Sequence, residues 1–376
     1  MPEAAWDDAR LGDALAGKRV LVTGHSGFKG GWLCLWLEAL GAEVVGVSLP
    51  PPSGLTFYDA VGLGELVDSR FADIRDAGAL AEATRGIDAE LVLHLAAEPI
   101  VRRSHRFPAE TFATNVTGTA HILDIARAMP SLRAVIVVTS DKCYDNREWD
   151  WPYRETDRLG GGDPYSASKA CTEIVADCYR RTWFRDPAGP RLATVRAGNV
   201  IGGGDWAEDR LVPDIVRAAS GGPALILRNP RSIRPWQHVL EPLSGYLLLA
   251  ARLMQDDGAR FADAWNFGPS SDGAIDVETL ARAIMAASPA LDLPIRFGGG
   301  GDDCREAVML RLDSSKAHHE LGWRPRLSSR AMLGFTADWY AAHLRGDADM
   351  RAASRDQLNA YSALQSSNQG ELLQCG

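Results

Sequence analysis

A doubly wound parallel α/β sheet followed by a smaller mixed C-terminal domain is the fold class this sequence predicts. Three observations predict it. Over the first 200 residues, apolar β-branched runs of strand length alternate with helical patterns, as strands buried on both faces do in a parallel sheet. Gly24-x-x-Gly27-x-x-Gly30 falls between the first strand and the first long helix, where Rossmann-type sheets carry a phosphate-binding turn. Beyond Gly202, Gly and Pro become frequent and the strands shorter.

Lys18 to Val22 is a short buried strand. TGHSGFKGG follows, then a helix through Trp32, Leu33, Trp36, Leu37 and Leu40, spaced to share one face and stopped by Gly41. AEVVGVSL is the second strand, and a third ends before Asp73-Ile74. LVLHLAA (Leu91 to Ala97) and RAVIVVTS (Arg133 to Ser140) are further strands, separated by a helical pattern around Thr119 to Ala128. RLATVRAGN (Arg191 to Asn199) is another. AWNFG (Ala264 to Gly268) returns to the sheet, and DVETLARAIMAA is an amphipathic helix. The expected division is 17–200, with a returning segment near 236–268, for the Rossmann-type domain, and 201–345, interleaved with it, for a substrate domain. Residues 346–376 are polar and Ser/Gln-rich and read as a frayed tail or a loosely attached helix.

At 376 residues the chain is too long for one small core. The 46% hydrophobic and 24% charged fractions are ordinary for a globular protein. A net charge of -9 favours neither nucleic acid nor an anionic membrane as partner, although a few arginines can still hold a small anion. The cysteines at 34, 143, 171, 178, 304 and 375 form no Cys-x-x-Cys pair, so no metal site is expected. Scattered reduced thiols fit the cytoplasm. The acidic N-terminus lacks the apolar stretch of a signal peptide, and no apolar run reaches membrane-spanning length.

The candidate chemistry lies at the strand ends. The glycine triplet permits a tight turn whose backbone N–H groups approach a pyrophosphate. The acid that usually holds a ribose at the end of the second strand is missing, because Ser48-Leu49-Pro50 stands there. No arginine waits there for a 2'-phosphate either. Asp73-Ile74 is either an adenine contact or an ordinary strand-end turn. Tyr165 and Lys169, four apart, share a helix face. An ammonium beside a phenol favours the phenolate, which can take a hydroxyl proton while hydride leaves the same carbon. Ser140-Asp141-Lys142 follows a buried strand and is either a polar turn or part of an active site.

Taken together, the glycine triplet, Asp73-Ile74, HLAAE, TNVTGT, Ser140 and Tyr165-x-x-x-Lys169 resemble the extended short-chain dehydrogenase/reductases, over about 17 to 345. Within that family, VTSDKCYDNREW, LGGGDPYSASKA, RAGNVIGGGDWAEDRLVPDIVR and RSIRPWQHVLEPLSGYLLLA look most like the CDP-glucose 4,6-dehydratase branch. The resemblance implies NAD as cofactor, bordered by Gly24, Gly27, Phe28, Lys29, Gly30, Ser48, Asp73, Ile74, Leu95, Ala96, Ala97, Thr114, Tyr165 and Lys169. It implies CDP-glucose as substrate, contacted by Glu98, Ser140, Asn199, Arg210, Leu211 and Asn266, with Arg234 and Arg305 gripping the diphosphate. Ser140, Asp141, Lys142, Tyr165 and Lys169 would be catalytic, with Asp141 as the added acid and Lys142 as the added base. Neighbouring cations and burial would push Lys142 toward neutrality. A homodimer or homotetramer would be built on the Tyr165 helix and a helix from Thr111 to Arg127. Another nucleotide sugar, or a non-catalytic nucleotide-sugar-binding protein, is the alternative. His105 stands where that branch has Tyr.

Overall fold

Why the sequence gives a parallel sheet is plain from burial in the computed structural model, which describes residues 8–269, 274–291, 293–298, 309–346 and 348–372. Its strands are β1 (Arg19–Thr23), β2 (Glu43–Ser48), β3 (Asp68–Phe71), β4 (Leu91–His94), β5 (Ala134–Val138), β6 (Arg191–Ala197), β7 (Asn199–Ile201), β8 (Ile226–Leu227), β9 (Ile233–His238), β10 (Ala264–Phe267), β11 (Ala274–Asp276) and β12 (Arg296–Phe297). Every residue of β4, β5, β6 and β10 is buried. These strands therefore need apolar side chains on both faces, which is why they read as continuous runs. The main sheet is all parallel, in the order β10-β6-β5-β4-β1-β2-β3. The order reverses between β1 and β4, and in open α/β sheets ligands bind beyond the strand ends at such a switch point.

Two apolar layers flank the sheet. One holds the helix Phe28–Ala39, whose Trp32, Leu33, Trp36 and Leu37 are buried, and the helix Leu240–Leu253, buried at all its positions. The other is built from the helices Gly118–Ala126 and Pro164–Thr182, through Ile122, Leu123 and Ala176. Fully burying one such large apolar side chain contributes about 1.5–3 kcal/mol. Gly41 ends the first long helix in a left-handed conformation, φ 80°, and its N–H bonds the Glu38 carbonyl at 2.9 Å. A mixed sheet, β11-β9-β7, and the pair β12-β8 form the second, smaller part. β10 does return to the main sheet, pairing with β6.

Of the two expectations for the C-terminal segment, a helix is what forms, but it is firmly rather than loosely attached. Met350–Leu372 is a helix, and Met350, Ser354, Leu358 and Tyr361 are buried along one face. Arg351 Nε donates to the Val61 carbonyl (2.7 Å), Arg355 pairs with Glu38 (2.7 Å), and Gln357 donates to the Phe335 carbonyl (2.6 Å). Tyr361 hydrogen-bonds the buried Glu241 at 2.8 Å and Ser244 at 3.0 Å. Most of these contacts reach elements distant in sequence, so a polar composition hides them.

Candidate active site

The C-terminal ends of the main strands open on one cleft of about 1180 Å³, larger than the ~300–1,000 Å³ usual for a single small ligand. Its floor is the glycine turn. Gly24 has φ 78°, and a Cβ there would lie 2.8 Å from the Ala96 nitrogen; at Gly30 it would lie 2.1 Å from the Gly24 carbonyl oxygen. Any larger residue would push the turn off the strand ends. Gly27 caps the following helix without a side-chain hydrogen bond, leaving the helix's first N–H groups for an anion. This cradle fits a dinucleotide pyrophosphate.

The rim is pinned from below. The Thr23 hydroxyl accepts from the Leu95 and Ala96 N–H groups at 3.1 and 3.2 Å and meets His94 Nδ1 at 2.6 Å. Burial drives His94 down to about 3, so the ring stays neutral. At the end of β2, Ser48 Oγ lies 3.0 Å from His25 Nδ1 and 2.9 Å from Ser26 Oγ. Asp73 is held by Arg75, whose Nε lies 2.9 Å from its Oδ2; that hydrogen bond keeps the Asp73 carboxyl below the usual range. Thr114 reaches the cleft from a single π-helical turn, Ala113–Thr117. Lys29, in the first helical turn, is pushed down to about 7 by burial and by the charges of Arg210 and Lys169.

Ser140, Asp141, Lys142, Tyr165 and Lys169 all line the same cleft. Ser140 leaves β5 extended and caps a short 3-10 turn, Asp141–Cys143. Its Oγ accepts from the Lys142 N–H (3.2 Å) and donates to Asp141 Oδ1 (2.9 Å). Asp141 is 4% exposed, and burial raises its pKa against the opposing Lys142 charge. The acid of this turn is thus buried and Lys142 half-buried, unlike a fully solvated ion pair.

Tyr165 differs from the sequence expectation. Burial raises its phenol to about 12, and the groups opposing that rise are the hydrogen-bonded Ser140 hydroxyl and the Arg210 charge, not Lys169. The Lys169 ammonium instead donates to the Val138 carbonyl at 3.2 Å, and burial lowers it to about 8.

Glu98, Asn199, Arg210, Leu211 and Arg234 border the cleft. Asn266 does not. It is fully buried in β10 and committed to protein partners: its Oδ1 accepts from Tyr144 Oη (2.8 Å), and its Nδ2 donates to the Tyr153 and Asp313 carbonyls (2.9 and 3.1 Å). Its role is structural, because a buried amide already satisfied has nothing left to offer a sugar. Arg305 lies outside the described residues. His105 is exposed on the helix Val101–Arg106 and does not line the cleft.

Sequence reasoning missed the pair beneath the site. Glu173 and Arg196, 3% exposed each, bond through Arg196 Nη2 at 2.8 Å. Glu173 also accepts from the Thr139 and Thr194 hydroxyls. A signal existed: Glu173 is four residues beyond Lys169 on the same helix, and Arg196 interrupts the apolar run of β6.

A parallel sheet whose glycine turn and Tyr-x-x-x-Lys helix meet at one edge defines the class, a dinucleotide-binding fold of the dehydrogenase type. The chain belongs to the NAD dependent epimerase/dehydratase family, whose model matches residues 20–264. It is 47% identical over 355 residues to the CDP-glucose 4,6-dehydratase of Salmonella typhimurium, covering 92% of this chain and 96% of the relative. It is 26% identical to a dTDP-glucose 4,6-dehydratase of Xanthomonas campestris, covering 85% and 92%. Among solved structures, the dTDP-glucose 4,6-dehydratase of Streptomyces venezuelae with NAD bound matches at TM-score 0.70 and 28% identity, covering 87% of this chain and 98% of that one.

Proposed function

We propose that the chain is an NAD-dependent CDP-glucose 4,6-dehydratase, a hydro-lyase that converts CDP-glucose to CDP-4-keto-6-deoxyglucose and water. The observation that carries it is the Ser140-Asp141-Lys142 turn facing Tyr165, with Ser140 and Asp141 buried and Lys142 half-buried at the cleft, supported by the likeness to the Salmonella enzyme. NAD, when bound, accepts hydride from carbon 4 of the sugar and returns it to carbon 6. The glycine turn, Phe28, Lys29, Ser48, Asp73, Ile74, Leu95 to Ala97 and Thr114 would hold it.

The chain's own groups move the protons. Tyr165 takes the proton of the carbon-4 hydroxyl, with Ser140 and Arg210 favouring the phenolate against burial. The resulting ketone acidifies the carbon-5 proton, which Lys142 removes. Asp141, whose burial favours the protonated acid, protonates the departing carbon-6 hydroxyl. An acid kept protonated by its surroundings is what that last step requires. Glu98, Asn199, Arg210 and Leu211 position the nucleotide sugar, and the planar fork of Arg234 suits its diphosphate.

Residues 17–200, with the return of 236–268, form the cofactor domain in this reading, and 201–345 the substrate domain. No helix of the described residues is long and apolar enough to cross a membrane, and we place the enzyme in the cytoplasm as a homo-oligomer.

Incubation of the purified protein with NAD and each of CDP-, dTDP-, UDP- and GDP-glucose tests the reading. CDP-glucose should lose one water, seen as the mass change and the alkaline absorbance of a 4-keto sugar. Conversion of another nucleotide sugar in preference would shift the assignment, and conversion of none would end it.

A further inference from the structure

Asp209 is one of two non-glycine residues with positive φ among the described residues, at φ 59°. An L-residue adopts this conformation at a cost, which Asp tolerates better than most. The strained placement has a consequence at the cleft mouth. Asp209 Oδ1 lies 3.3 Å from Arg102 Nη1 and 3.0 Å from Arg228 Nη2. Arg102 sits on the helix Val101–Arg106, beyond β4 of the main sheet. Arg228 follows β8 in the smaller part. One carboxylate oxygen therefore lies between two guanidiniums carried by opposite walls, and all three residues line the cleft. The neighbouring Arg210 is engaged by a different carboxylate, Asp205, at 3.2 Å.

Two guanidiniums this close to a common point repel unless an anion sits between them. Asp209 supplies that anion from a strained loop, and the side chains are about one-third exposed, 34% for Asp209 and 33% for Arg228. Ion pairs that wet are weak and exchange easily. A phosphate carries more charge and more acceptor oxygens than a carboxylate and pairs bidentately with arginine.

We propose that Arg102 and Arg228 form a phosphate seat across the mouth of the cleft, and that Asp209 is its placeholder, displaced when a diphosphate enters. With the nucleotide-sugar reading above, on which the identity of the ligand rests, the seat takes one phosphate of the substrate's diphosphate. The placeholder keeps the two cationic walls together in the empty cleft and lowers affinity for the anion, which eases product release.

Calorimetric titration of the ligand-free protein with inorganic pyrophosphate, CDP, cytidine and CDP-glucose tests this. Asp209→Asn removes the charge and keeps a residue that accepts the left-handed conformation. It should bind pyrophosphate and CDP about threefold to tenfold more tightly than wild type. The gain should shrink at 0.5 M salt, roughly a Debye length of a few Å, and cytidine binding should not change. Asp209→Gly, which relaxes the backbone, should show the same gain. Arg228→Gln should weaken CDP binding and abolish the gain in the double variant. Unchanged or weaker pyrophosphate and CDP binding in both Asp209 variants, at an unchanged melting temperature, would show that the ion pairs only brace the walls. An equal gain for cytidine would also overturn the seat. If pyrophosphate behaves as expected while CDP-glucose is neither bound nor converted, the seat stands and the substrate reading falls.

Discussion

At the scale of single residues, the division of labour in the cleft makes two predictions. Lys142→Met removes the base but keeps much of the side-chain length, and Asp141→Asn keeps the shape of the acid without its transferable proton. Both variants should still oxidise carbon 4, so enzyme-bound NADH should form and persist while the 4-keto-6-deoxy product falls about a hundredfold to ten-thousandfold. Single-turnover kinetics resolves the two events. Product release by Lys142→Met at the wild-type rate would remove it as the base. The second prediction concerns Lys29, drawn from 10.5 to about 7. Between those values the unfolded chain holds the proton and the folded one does not, so stability rises with pH across that window. Below pH 7 both states are protonated, and the whole cost of the crowded ammonium is present. Lys29→Met should therefore stabilise the ligand-free protein at pH 6, by about 1–3 kcal/mol, since water reaching Lys29 from the cleft softens the cost. The advantage should fade toward pH 10.5. Urea unfolding at several pH values measures it, and a difference independent of pH would contradict the assigned cause.

Elements show why some of the site was legible and some was not. The glycine turn, the Ser140 turn and the Tyr165–Lys169 face are local: their chemistry is written in residues within a few positions, and periodicity places them on a strand end or a helix. Asn266 was misread because its partners, Tyr144, Tyr153 and Asp313, come from distant segments. Nothing local in AWNFG distinguishes an amide facing a ligand from one facing the core. The Lys169 ammonium is directed to the Val138 carbonyl by tertiary packing that spacing alone does not encode. The firm attachment of the C-terminal helix was not legible for a related reason. Its buried face is sparse, and besides the preceding helix it packs on elements far away in sequence, at Glu38, Val61 and Glu241. That helix carries its own prediction. Tyr361 is fully buried, meets Trp36 edge-on at 5.7 Å, and hydrogen-bonds Glu241. Tyr361→Ala should cost about 3–5 kcal/mol, as large aromatic-to-alanine changes in cores do. Tyr361→Phe, which leaves a buried carboxyl one donor short, should cost about 1–3 kcal/mol. Denaturant unfolding separates the two, and wild-type stability in Tyr361→Ala would mean that the helix is not anchored there.

The whole molecule leaves one large surface unexplained by its own core. The helix Pro164–Thr182 turns Tyr165, Lys169 and Glu173 inward, yet its outer side presents Ile174, 59% exposed, with Val175 and Cys178 beside it. A helix apolar on both sides is expected to be covered on both. The neighbouring stretch from Pro108 to Ala126 runs alongside, linked by Tyr179 Oη to Asp124 at 3.1 Å, and turns Phe112, Val116 and Ala120 partly outward. Two adjacent helices with apolar outer faces form a patch that a second copy, related by a two-fold axis, would cover with the same patch as a four-helix contact. Such an arrangement would also stiffen the helix that holds Tyr165 and Lys169, so assembly and activity should be lost together. Ile174→Asp places a charge at the centre of the patch without touching the cleft. Light scattering at micromolar concentration should show wild type as a dimer or tetramer and Ile174→Asp as a smaller species. Burying an unpaired carboxylate is costly enough to dissociate a modest interface. The wild-type melting temperature should rise with protein concentration, because association and folding are linked by mass action, and the variant should melt lower and without that rise. A wild-type protein that scatters as a monomer would leave the outer face of this helix without a role in assembly.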